Sequence, residues 1–303
     1  MSRHFRQHES ADADDADVLT GNQLGYEGDY DLNIDFYNES VQPHLDYISK
    51  SRIKTFLKCP RKFSFKYLAE ERESDNFYMK RGSAVHDAFE RFHENLEAYV
   101  AANQEIPDQF TELLPPTRDW FQFIDWLGPF FEWELERLGA AREAATTTDE
   151  VFDFFLPHSV EEELWIEDPP VGELPWMGPY DALLHAASVP SVDADSGYVV
   201  VDYKTGSVPK PEWRDTGIHI DLSFYAWMLE EEGYDVVGAV GMYPTADENV
   251  VVEVPRSKSR ANIIDAVSTL HDAQATRSDF PVNPQPLCDY CAYQNQCPVS
   301  WND

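Results

Sequence analysis

The segment VVVDYKTG, residues 199–206, brings a carboxylate and an ammonium to the end of a short apolar strand. Side chains at i and i+2 share a strand face, so Asp202 and Lys204 point the same way. That pair suits hydrolysis of a phosphodiester. The carboxylate holds a divalent cation, and the lysine orients the attacking water or offsets charge developing at phosphorus. D-x-K alone also arises as a surface ion pair beside a turn. Two further elements add weight. MGPYDALL supplies Asp181 on the preceding strand, roughly a hairpin partner, and SAVHDAF supplies His86 on a helix entered through Gly82. Two carboxylates and an imidazole make a hard-cation set, better suited to Mg²⁺ or Mn²⁺ than to structural zinc.

A second constellation is built from sulfur. Cys288, Cys291 and Cys297 form C-x2-C-x5-C, and Cys59 lies far upstream. Four thiolates suit either a tetrahedral zinc or a four-iron cluster. Compact zinc modules usually draw their ligands from two close pairs, which this three-plus-one spacing is not. Either metal would staple the two ends of a domain together.

Charge supplies a third signal. The chain has 303 residues, with 23 Lys plus Arg against 56 Asp plus Glu, a formal net charge of −33. A dispersed acidic surface stays soluble in concentrated salt, where a short Debye length screens self-repulsion, so the expected setting is a salt-rich cytoplasm. Against it, residues 47–68 (YISKSRIKTFLKCPRKFSFKYL) carry seven cations and no acid: Lys50, Arg52, Lys54, Lys58, Arg61, Lys62 and Lys66. Tyr47, Phe56, Phe63, Phe65 and Tyr67 are interleaved among them. Cations alternating with aromatics suit a phosphate backbone with stacked bases. The expectation is a private DNA-binding strip in an acidic protein; the plain alternative is a solvated helix face.

The elements that must position these groups follow from periodicity and breakers. Residues 1–45 are polar and acidic and are expected to be a disordered tail, with residues 46–303 forming the folded domain. Ser49 or Ser51 can cap a helix ending near Cys59, and Pro60 can begin the next. Residues 83–102 have helical apolar spacing, and an aromatic-rich helix is expected over about 119–144. Strands are expected at VEEELWIED, PYDALLHAA, GYVVVDYKTG, GAVGMYP and NVVVEVP, with helices at about 218–232 and 257–276. This is a mixed α/β domain with 43% hydrophobic residues, ample for a core. No apolar run of membrane-spanning length appears, and the first residues lack a signal-peptide core, so a cytoplasmic, membrane-free protein is expected. No phosphate-binding G-x-x-x-x-G-K-[ST] loop appears, so any motor belongs to a partner such as a helicase.

The order R-G-x-x-x-H (Arg81 to His86), G-x-x-D (Gly178 to Asp181), D-Y-K-T-G (Asp202 to Gly206) and a Q-x-x-x-Y-like helix resembles the RecB-type PD-(D/E)XK nucleases. The string from Ser49 to Phe63 and the terminal cysteines resemble their iron–sulfur branch, which includes the AddB nuclease domain and CRISPR-associated RecB-like exonucleases. The resemblance implies a restriction-endonuclease-like mixed central sheet flanked by helices, with a C-terminal iron–sulfur cap. It implies metal ligation by His86, Asp181, Asp202 and the Tyr203 carbonyl, catalysis through Lys204, and a [4Fe–4S] cluster on Cys59, Cys288, Cys291 and Cys297. The basic strip supplies Lys54, Lys58, Arg61, Lys62 and Lys66 as expected DNA contacts, and the resemblance adds Tyr225 and position 221. The family has Gln at 221; Asp221 stands here, and its carboxylate only accepts. The function so implied is a metal-dependent exonuclease on single-stranded DNA ends, in repair, recombination or CRISPR adaptation. The rival of another class is a catalytically idle iron–sulfur DNA-binding subunit of a repair complex. Such a subunit has no need of Asp181, Asp202 and Lys204.

Overall fold

The computed structural model describes residues 45–69, 77–114, 124–246, 249–276 and 280–297; the expected acidic tail lies outside them except for Leu45, which is buried in the core and belongs to the domain. α1 (Lys50–Lys58) is capped by Ser49, whose hydroxyl accepts from Arg52 N, and ends at Cys59. Cys59 caps α2 (Pro60–Phe63) in turn, with Pro60 at the position where a missing N–H costs nothing. A π-helical turn, Ser64–Leu68, follows. α3 (Phe77–Asn103) begins earlier than the apolar spacing indicates, because its first turn is largely exposed and carries no periodic apolar signal. α4 (Ile124–Ala144) continues through Pro129. The first residues of the expected 119–144 helix fall outside the described ones. α5 (Thr148–Phe155) was not expected. Its mark in the sequence is the T-x-x-E capping box of Thr147 and Glu150.

Five strands then form one sheet: β1 (Ser159–Ile166), β2 (Trp176–His185), β3 (Tyr198–Tyr203), β4 (Val236–Met242) and β5 (Val250–Glu253). Their spatial order is their chain order. Neighbours are antiparallel except β3 and β4, which are parallel. The parallel pair requires a crossover, provided by the short α6 (Pro211–Arg214) and by α7 (Ile218–Glu231). α8 (Ser257–Thr276) follows β5. This is the expected mixed sheet flanked by helices.

Strand alternation divides the core. Val199, Val201 and Tyr203 pack with the apolar residues of α3 and α4, including Phe89, Phe92 and Phe130. Val200 packs on the opposite side with α1, α7 and α8. Asp202 follows Val200 in the alternation and is carried toward α1 and α7. α1 is pressed onto that face by Ile53, Phe56 and Leu57, all buried, each contributing roughly 2 kcal/mol. Its start is tied to the sheet by Ile48, which forms a parallel bridge to Trp176 at the head of β2. Among the described residues no helix is long and apolar enough to cross a membrane.

Candidate active site

The register Ala182↔Val201 places Asp181 and Asp202 at the next pair of facing positions. There the ladder opens, and the Asp181 carboxylate fills the gap by accepting from Tyr203 N at 2.5 Å. Both acids are nearly sealed, at 6% and 1% exposure, so their charges need partners. Asp202 has two. Lys50 donates to Oδ1 at 2.8 Å, and Lys204 contacts Oδ2. Burial pushes the Asp202 carboxyl up, but the two lysines outweigh it and hold the group well below the usual carboxylate range. Asp181 goes the other way, up to about 6, through burial and the neighbouring Asp202 charge, with His86 and Lys50 opposing.

His86 reaches the same corner from α3. Its Nδ1 lies 3.6 Å from Asp181 Oδ2 and 3.7 Å from Glu161 Oε1. Burial lowers its basicity, yet the Glu161, Asp181 and Asp202 carboxylates raise it above the ordinary histidine value overall. The donor atoms of His86, Glu161 and Asp181 all lie within 4.8 Å of one another. Glu161 is the residue that sequence reasoning missed. It is one acid in the run VEEEL, and only the β1–β2 register sets it across from Asp181, between the pairs Val160↔Ala182 and Glu162↔Tyr180. Two carboxylates facing each other across a ladder repel. Glu161 also has φ 48°, a left-handed conformation that costs energy for a residue with a Cβ. One imidazole nitrogen and carboxylate oxygens so arranged fit a hard divalent cation. His86 and Asp181 are thus brought together as expected; Asp202 is adjacent but committed to lysines.

Behind the strand end sits a sealed polar cluster on the α3–α4 side. Tyr203, whose N–H serves Asp181, places its hydroxyl 3.0 Å from His93 Nε2. Next to His93 is Glu134, paired with Arg137 at 2.7 Å, and Arg137 also donates to Phe155 O and Ser188 Oγ. Burial and the Arg137 charge lower His93 to about 3, leaving it neutral; burial raises Glu134 to about 7 against the opposing pull of Arg137.

The basic strip is rearranged from the sequence expectation. Lys54 is drawn inward to Asp221 Oδ2 at 2.7 Å, and Lys204 reaches the same oxygen at 3.3 Å. Asp221 and Tyr225 are both buried, so neither offers an open face to DNA. Tyr225 lies under the Lys50 ammonium, 4.4 Å from the ring centroid. A Cβ at Gly178 would meet its ring at 3.1 Å, which accounts for glycine in G-x-x-D. Phe56, Phe63 and Phe65 are core residues and not stacking platforms. The physical reason is how the helices dock: Phe56 and Phe63 lie on the face that packs into the core, and Lys50 and Lys54, four residues apart on α1, are turned with it toward buried carboxylates. Lys58 is exposed and Lys66 half-buried, while Arg61 and Lys62 line the cysteine cavity.

That cavity is walled by Cys59, Cys288, Cys291 and Cys297 together. The terminal segment reaches α1 through Asn283 Nδ2 and Gln285 Nε2, which both donate to Lys58 O. Backbone N–H groups of Lys62 and Asn283 point at Cys59 Sγ at 3.4 and 3.5 Å, and Gln285 N points at Cys288 Sγ at 3.4 Å. The four cysteines thus line one cavity, with amide donors on two of the sulfurs, while among the described residues the one group close enough to hold a metal ion is His86, Glu161 and Asp181.

Comparison with known proteins gives a family match. The model described as the PD-(D/E)XK nuclease superfamily matches residues 47–298. No curated protein matches the sequence. Among solved structures, SSO0001 matches at 14% identity, covering 84% of this chain and 87% of that one, with a TM-score of 0.38. A candidate exonuclease from Eubacterium rectale matches at 12% identity, covering 88% and 93%, with a TM-score of 0.47.

Proposed function

The chain belongs to the PD-(D/E)XK nuclease superfamily, and from that premise we propose that it is an exonuclease shortening single-stranded DNA ends. Membership makes it a phosphodiester hydrolase of DNA that uses a divalent metal such as Mg²⁺ or Mn²⁺. The observation carrying the reading is the convergence of Asp181, Asp202 and Lys204 at one strand end, with His86 and Glu161 beside them. In this proposal His86, Glu161, Asp181, Asp202 and the Tyr203 carbonyl hold the metal, which when bound supplies an activated water and a Lewis acid for phosphorus. Lys204 holds its positive charge in place through Asp202 and Asp221, ready to offset charge on the phosphoryl oxygens. Asp181 fixes the strand end by holding Tyr203 N.

The preference for single strands is supported by the rim of the site. Arg81 donates to Thr205 O and lies over the Trp126 ring. In the preceding turn Phe77 and Tyr78 are each 69% exposed, a stacking surface beside cations that unpaired bases can use. Lys58, Arg61, Lys62 and Lys66 are proposed to carry backbone phosphates. Cys59, Cys288, Cys291 and Cys297 are proposed to hold a [4Fe–4S] cluster that ties α1 to the C-terminal segment, with zinc the alternative. The dispersed acid supports a salt-rich cytoplasmic setting, with a helicase or other repair or adaptation partner supplying unwound ends.

The test is digestion of end-labelled single- and double-stranded DNA and RNA with Mg²⁺ or Mn²⁺ in concentrated potassium chloride. Stepwise shortening of single-stranded DNA, dependent on the metal, is expected. Internal cuts only would overturn the exonuclease reading, and equal action on duplexes would overturn the preference for single strands.

A further inference from the structure

Asp202 has both carboxylate oxygens occupied by ammonium groups, Lys50 on Oδ1 and Lys204 on Oδ2. The two lysines are not equivalent. Lys204 leaves the same strand end two residues on, and Asp221 Oδ2 lies 3.3 Å from its nitrogen as a second partner. Lys50 arrives from a separate element, as the first residue of α1, and its second contact is the face of Tyr225 at 4.4 Å. Meanwhile the donor atoms that already converge, on His86, Glu161 and Asp181, do not include Asp202. A dication approaching Asp202 would meet an ammonium at 2.8 Å on the oxygen it must use, and like charges cannot share that position.

We infer that Lys50 is a place-holding counter-ion. Its ammonium keeps the sealed Asp202 carboxylate paired and oriented while the metal is absent, and gives up Oδ1 while keeping its contact with the Tyr225 ring when a divalent ion takes that oxygen. A carboxylate at 1% exposure has no water to serve it, so without a substitute cation the empty site would place Asp181, Asp202 and Glu161 together with too little positive charge. The Tyr225 face, which the ammonium already touches, keeps part of its electrostatic stabilisation once Oδ1 is lost. The site exchanges one cation for another, and Lys50 competes with the metal it prepares for. This rests on the reading of Asp202 as a metal ligand.

The competition has a sign that a merely structural lysine would not produce. A residue that only tied α1 to the sheet would, on removal, loosen the site and weaken metal binding. A competing cation, on removal, lets the metal bind more tightly. Removing a unit charge ~6 Å from a dication changes affinity about tenfold even at the dielectric of water.

The experiment is calorimetric titration of the full chain with Mn²⁺ alone, in the wild type and in Lys50→Met, Asp202→Asn and the double variant. Melting curves taken in chelator show that each is folded. Lys50→Gln, which keeps a hydrogen-bond donor and removes the charge, replaces Lys50→Met if that variant melts too low. The expected result is Mn²⁺ binding at least about tenfold tighter on loss of the Lys50 charge, and a clearly smaller gain in the Asp202→Asn background, where only the through-space repulsion is relieved. Unchanged or weaker binding in the Lys50 variant, with Asp202→Asn itself weakening binding, overturns the place-holder. An Asp202→Asn variant that binds Mn²⁺ as the wild type does removes Asp202 from the ligand set, and the place-holder with it.

Discussion

Replacing Arg137 by Met should expose how much the sealed cluster behind Tyr203 contributes. Arg137 is wholly buried, pairs with Glu134 at 2.7 Å, and donates to Phe155 O and Ser188 Oγ. Methionine fills much of the volume but leaves Glu134 without a counter-charge. Removing one partner of a buried pair costs about 3–5 kcal/mol. At about 2–4 °C per kcal/mol for a domain of this size, the melting temperature should fall by roughly 6–20 °C near neutral pH. The dependence on pH is more diagnostic. Glu134 is raised to about 7 in the fold, so its contribution is fully present below its unfolded value and is lost as pH rises to about 7. Above that the wild type levels off, because Glu134 is ionised in both states. Without Arg137 the folded value climbs further, and the variant keeps losing about 1.4 kcal/mol per pH unit beyond 7. The gap between the two melting curves should therefore widen from neutral to alkaline pH and narrow below about pH 5. Circular dichroism melts across that range measure it, and adding Glu134→Gln to Arg137→Met should remove the widening. Parallel curves for wild type and Arg137→Met would refute the argument, because they would mean that Glu134 does not carry the charge Arg137 neutralises.

Three other outcomes are expected. Lys204→Met should reduce cleavage at saturating metal by at least about a hundredfold, the typical loss on deleting one charge-stabilising donor, measured in single-turnover assays. Cys59→Ser should abolish the visible absorption and the iron content of anaerobically purified protein and lower its melting temperature, since Cys59 brings α1 to the three C-terminal thiols; one bound zinc in a colourless wild type would overturn the cluster and leave the nuclease standing. Gly178→Val should destabilise by roughly 1–3 kcal/mol through overpacking, because a Cβ there already meets Tyr225 at 3.1 Å; denaturant unfolding measures it.

What the sequence alone settled was local. Alternation in VVVDYKTG was enough to put Asp202 and Lys204 on one face, and the helix signals around Ser49, Cys59 and Pro60 are those of the folded chain. The order of the five strands and of most helices was equally legible, since apolar periodicity and breakers act over a few residues, while the mixed sheet was implied by the family resemblance. What tertiary structure decided was which charges meet. Glu161 is indistinguishable from its neighbours Glu162 and Glu163 until the β1–β2 register places it across from Asp181. Lys50 and Lys54 read as surface cations in a basic run, yet one helix docked on one sheet face turns both inward, to Asp202 and Asp221. His93 on α3 meets Glu134 and Arg137 on α4, which stand 41 and 44 positions further along the chain. Electrostatic partnership is set by distance in space and by exclusion of water, and neither quantity is written in the spacing of residues along the chain.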